Sequence, residues 1–151
     1  MSARYFAFES DFVDTLRCVP MCVRLKLDLS GVKLKLNEWS KMDPAERAYL
    51  ADMACGSRDE IRGFRDFTSL LVRINCGSLP TLMAPPEPMW ETDAPPAQVT
   101  EKATALGHAF SAAAWKSLDT LQRFALVKLS RPGHEGANFA PALREFGVVP
   151  A

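Results

Sequence analysis

Charge of one sign is what this sequence most plainly lacks. Eighteen Lys and Arg stand against eighteen Asp and Glu, so the 151 residues carry no formal net charge. A dedicated DNA binder draws much of its affinity from cationic side chains on phosphates, so no nucleic-acid partner is expected. An acidic disordered tail is excluded on the same count. No run approaches the roughly eighteen apolar residues of a membrane span, so no membrane partner is expected either. The opening MSARYFAFESDF has one Arg, then Glu9 and Asp11, and no apolar stretch between them. It does not read as a secretory signal, and a cytoplasmic location is expected. Histidine is reduced to His108 and His134, and cysteine to Cys18, Cys22, Cys55 and Cys76 without a CxxC pair. No zinc spacing results, and in a reducing compartment four free thiols are expected. Cys18 and Cys22, four apart, would share one helix face as small apolar groups. GxGxxG, the phosphate-binding P-loop, HExxH and GxSxG are all absent. No catalytic residue, metal or cofactor is therefore expected, and the chain does not read as an enzyme.

What is present is an ordinary globular composition, 48% hydrophobic and 24% charged, enough for one helical domain over residues 1–151. Prolines crowd into LPTLMAPPEPMWETDAPP, which blocks helix and reads as a strap over 78–96. Its Leu79, Leu82, Met83, Met89 and Trp90 suggest that it lies on the surface and pins two halves together. Those halves, about 10–77 and 97–147, resemble each other. Shifting the chain by 76 pairs Val23 with Val99, Lys26 with Lys102, Gly31 with Gly107 and Trp39 with Trp115. It also pairs Asp43 with Asp119, Arg47 with Arg123 and Leu50 with Leu126. About two such identities would arise by chance over this span from average residue usage. Two copies of one unit in a pseudo-two-fold arrangement are the expected outcome.

The local signals are mostly helical. Asp43, Pro44 and Glu46 form an N-cap, a first-turn proline and a capping-box acid, and Asp119 with Gln122 repeats the pattern. Ser57 and Glu60 open a third helix, on which Ile61, Phe64, Phe67, Leu71 and Ile74 follow helical spacing as the buried face. Trp39 and Trp115 should be core residues on short helices from about Lys35 and Ser111. Asp43–Arg47 and Asp119–Arg123 read as i,i+4 ion pairs. VRLKLDLSGVKLKL alternates like a hairpin, but its partner VTEKATALGHAFSA reads as helix. We assign helix to both, with Pro20 at N1 and Gly31 as the stop. Arg24, Lys26, Lys33 and Lys35 then form a solvated basic face. The last helix is expected from Asn138 to Phe146. The fold class is all-α, with six or seven helices.

Polar chemistry concentrates in LSRPGHEGANF, where Arg131, His134, Glu135 and Asn138 surround Gly133 and Gly136. Glycines admit close backbone approach, and a helix start at Asn138 would favour an anion. The 130–138 loop is thus the candidate ligand or partner site. The plain alternative is a polar loop that caps its own helix, with Arg131 paired to Glu135 or Glu145.

The stretches FESDFVDTLRCVPMCVRLKLDLSGVKLKLNEW and LQRFALVKLSRPGHEGANFAPALREFG resemble the nitrate reductase associated protein family, over about residues 6–147. The resemblance implies a link to nitrate assimilation and no catalytic residue, cofactor or defined activity. Arg17, Cys18 and Pro20, and Arg131, Pro132, Gly133, His134 and Glu135, match the family motifs and are candidates on that ground. The resulting expectation is a non-catalytic accessory protein whose partner is nitrate reductase or a maturation factor. The alternatives are an anion sensor using the 130–138 loop, or an uncatalogued small enzyme using His134 and Glu135.

Overall fold

The structure, a computed structural model, describes residues 3–150. The chain divides into two compact units, Met1–Pro86 and Glu87–Ala151, with the boundary inside the proline-rich stretch. The first unit holds a 3-10 turn (Ala7–Glu9), then α1 (Met21–Ser30), β1 (Val32–Lys33), α2 (Leu36–Ser40), α3 (Pro44–Asp52), α4 (Arg58–Cys76) and β2 (Thr81–Leu82). The second holds α5 (Ala97–Ala105), α6 (Ala112–Lys116), α7 (Thr120–Leu129), a 3-10 turn (His134–Asn138) and α8 (Phe139–Glu145). The fold is mainly helical, with eight α-helices among the described residues where six or seven were expected. It is not wholly α, because β1 and β2 pair antiparallel, Val32 opposite Leu82.

The caps act as the sequence implies. Asp43 accepts from the Glu46 amide at 2.8 Å, Ser57 from Glu60 at 3.1 Å and Asp119 from Gln122 at 2.9 Å. Each satisfies an amide that the helix itself leaves open, a contribution of about 1 kcal/mol. The alternating segment is helix α1, stopped by Gly31 in the left-handed region at φ 71°. It buries Met21, Cys22, Val23, Leu25, Lys26 and Leu27, most of its circumference, so no amphipathic period shows in its sequence. Pro20 is the N-cap rather than N1. Proline has no capping side chain, and Glu9 serves instead, its Oε2 accepting from the Met21 amide at 2.8 Å. Lys26 overturns the expected solvated face, being fully buried on the inner side of α1.

In the first unit α4 packs on α1, α2 and α3 through Phe64, Thr68, Leu71 and Val72. In the second, α7 packs on α5 and α8. Main-chain bonds hold the early part of the proline-rich stretch: Gly31 O accepts from the Met83 amide at 2.8 Å, beside the β1–β2 pair. The apolar side chains thought to anchor it, Leu79, Leu82 and Met83, stand in solvent. Trp90 alone among the large ones is buried, edge-on to Phe124 at 5.0 Å within the second unit.

Candidate functional site

Matching residues of the two units do matching structural work. Trp39 and Trp115 are both fully buried. Trp39 Nε1 donates to Leu16 O at 2.7 Å, and Trp115 Nε1 to Thr92 O at 2.9 Å, each acceptor 23 residues upstream. Arg47 donates from Nε to Trp39 O at 3.2 Å and from Nη2 to Ser40 O at 2.8 Å. Arg123 repeats this on Trp115 O and Lys116 O, both at 3.0 Å. The arginines therefore close the C-terminal carbonyls of α2 and α6, a role that their i,i+4 spacing from Asp43 and Asp119 does not reveal. Lys26 Nζ donates to Leu50 O and Ala51 O at 3.3 and 2.6 Å, at the end of α3. Lys102 Nζ donates to Leu129 O at 3.1 Å, at the end of α7. Burial lowers the Lys26 pKa from its usual 10.5.

The N-terminal motif is built into this framework. Glu9 caps α1, and Leu16 sits at φ 52°, an uncommon backbone for a residue with a side chain, which aims its carbonyl at Trp39. Thr15 O accepts from Arg47 Nη1 at 3.2 Å. Arg17 and Cys18, next along, are exposed. All four cysteines are free; Cys22 and Cys55 are buried, and burial pushes the Cys55 thiol up to about 11.

The 130–138 loop divides the sequence candidates. Arg131 and His134 are exposed, while Glu135 and Asn138 are half-buried. The expected helix start at Asn138 gives way to a 3-10 turn over His134–Asn138, with α8 beginning at Phe139. Asn138 is helical at φ −84° and makes no side-chain cap, and the Phe139 amide donates to Gly136 O. The backbone donors thought open to an anion are thus partly satisfied within the turn. Gly133 lies at φ 140°, a conformation glycine alone takes readily. A Cβ at Gly136 would collide with Lys102 Nζ, so this glycine admits the lysine to the end of α7. Both glycines have structural reasons. Arg17 belongs to the first unit and the loop to the second.

Two faces of α4 were missed. Tyr49, Leu70 and Ile74 are 59%, 49% and 66% exposed, and Phe67 lies tilted against Tyr49 with ring centroids 5.1 Å apart. Of the expected buried face, Phe64 and Leu71 are buried, Ile61 and Phe67 are half-buried and Ile74 is exposed, with Thr68 and Val72 completing the buried side. The helix carries more apolar residues than one buried face accepts, so the surplus stands outside. That surplus, counted from Leu70 onward, was the readable signal. On another face, Arg58, Arg62 and Arg65 line a pocket with Ser30 and Ile61. Among the described residues no three His, Cys, Asp or Glu side chains group as a metal site, and no helix is long and apolar enough to cross a membrane.

Compared with known protein families, residues 5–146 match the family described as conserved nitrate reductase-associated protein. No curated protein and no solved structure matches the chain.

Proposed function

This chain belongs to the conserved nitrate reductase-associated protein family, and from that membership we propose that it is a non-catalytic accessory protein of cytoplasmic nitrate assimilation. Its partner in this reading is nitrate reductase or a factor that matures it. The observation that carries the proposal is the exposed apolar strip of Tyr49, Leu70 and Ile74 on α3 and α4, beside the half-buried Phe67. Scattered exposed apolar residues are ordinary, but Leu70 and Ile74 are one turn apart on one helix that also carries Phe67 of the tilted Tyr49–Phe67 pair. Such a strip suits the side of a partner helix or a hydrophobic groove. The two units are read as two copies of one ancestral unit, supported by helix starts 76 residues apart and by the matched tryptophan and arginine bonds. The test is affinity purification of the tagged chain from its native host grown on nitrate. Recovery of the reductase or a maturation factor is expected; repeated recovery of neither would overturn the reading.

A further inference from the structure

Ser30, Arg58, Ile61, Arg62 and Arg65 line a pocket of about 170 Å³ on the first unit. The three arginines stand at i, i+4 and i+7 of α4, so one helix face presents three guanidiniums to it. Arg47 and Arg123 show what a structural arginine does here: main-chain carbonyls hold its fork. Among the described residues the guanidiniums of Arg58 and Arg62 have no such acceptor. Arg65 meets its exposed neighbour Asp66 at 3.7 Å, a contact too long to fix it. No carboxylate lines the pocket. Glu60, on the same turn, faces the other way and accepts from the Gly56 and Ser57 amides at 3.1 and 2.9 Å. Ser30 gives its hydroxyl proton inward to Lys26 O at 2.7 Å, so the donors facing the pocket are guanidinium N–H groups.

Two arginines without an ion-pair partner among the described residues, and a third held only by an exposed carboxylate at 3.7 Å, line a small concavity and select the charge of an occupant as well as its size. The volume is below the roughly 300–1,000 Å³ of a drug-sized site, so it fits one compact charged group. Guanidinium forks bind oxyanions in paired hydrogen bonds. We propose that this pocket binds a doubly charged tetrahedral oxyanion group, phosphoryl or sulfuryl, in preference to a singly charged planar one. The second unit lacks the arrangement. Its 3-10 turn starts 76 residues after α4, and His134, Asn138 and Pro141 stand where Arg58, Arg62 and Arg65 do.

The experiment is calorimetric titration of the full chain with inorganic phosphate, sulfate, glycerol phosphate and nitrate at fixed ionic strength. One saturable site for phosphate or sulfate is expected, with nitrate much weaker. Arg58→Gln/Arg62→Gln should weaken binding by roughly tenfold or more, with an unchanged melting temperature because both side chains are exposed. Arg131→Ala, on the other unit, should leave it intact. Binding of glycerol phosphate as well as phosphate assigns the site to a phosphoryl group carried on a larger molecule; phosphate without the ester assigns it to the free ion. The proposal is overturned if neither dianion binds saturably, if nitrate binds as well as phosphate, or if the double variant binds like the parent.

Discussion

The two units share helix order and capping features up to the end of their third helix, the strand β1 of the first unit excepted, and differ after it. Up to that point each has a proline-capped helix, a glycine stop, a short helix bearing a buried tryptophan, and an aspartate-capped helix. Beyond it the first unit extends α4 for 19 residues, while the second breaks the corresponding stretch into a 3-10 turn and a seven-residue helix. The exposed apolar strip and the arginine pocket both involve α4. Both features draw most of their residues from α4, the helix without a counterpart in the second unit. The predictions below rank how far the match extends.

The largest effects should come from the tryptophans, and they should be equal. Trp39→Ala and Trp115→Ala each remove a fully buried ring and orphan a carbonyl, so each should cost about 3–5 kcal/mol by denaturant unfolding. A loss near 1 kcal/mol in one alone would show that the units do not rely on the same cluster. The glycine stops should separate the units. Gly107→Ala meets open space at φ 83°, so only the left-handed backbone is penalised, by about 1 kcal/mol. Gly31→Ala meets the Met83 carbonyl at φ 71° and should cost at least about 1 kcal/mol more. Equal losses would mean that the β1–β2 contact yields freely.

The lysines should differ less, and with pH. Lys26→Met leaves two buried carbonyls without their donor and should cost about 1–3 kcal/mol; Lys102→Met, half-buried with one such bond, should cost less. Burial depresses the folded pKa of Lys26 below 10.5, so between that lowered value and 10.5 the unfolded chain holds more protons. The parent should therefore gain stability relative to Lys26→Met as pH rises through this window. A difference that stays flat with pH would place the amine in contact with water.

Caps, stops and buried tryptophans were legible because each is a local choice with a local physical reason. The alternating segment was legible only through its Ala-rich counterpart, since a helix buried almost all round has no polar face to betray its period. Lys26 read as solvated because sequence gives no sign that the end of α3 needs a donor at that place. Arg47 read as a partner of Asp43 because the i,i+4 rule sees neighbours on one helix and not the carbonyls of the helix before. The 130–138 loop drew attention through its density of polar groups, yet its glycines serve backbone and lysine placement. The arginines of α4 were spaced for all to see, and only the fold shows that they line a concavity with the end of α1.

The claim that the unmatched helix carries association is tested most directly by Leu70→Ser/Ile74→Ser. Both side chains are exposed, so the melting temperature should stay within about 2 °C of the parent, as for surface changes away from packed features. Tagged parent and variant would be purified from nitrate-grown cells, and the co-purifying reductase or maturation factor quantified. The account predicts that the folded variant recovers at least about tenfold less, a loss of about 1.4 kcal/mol in binding. Equal recovery by a variant of unchanged stability would contradict it.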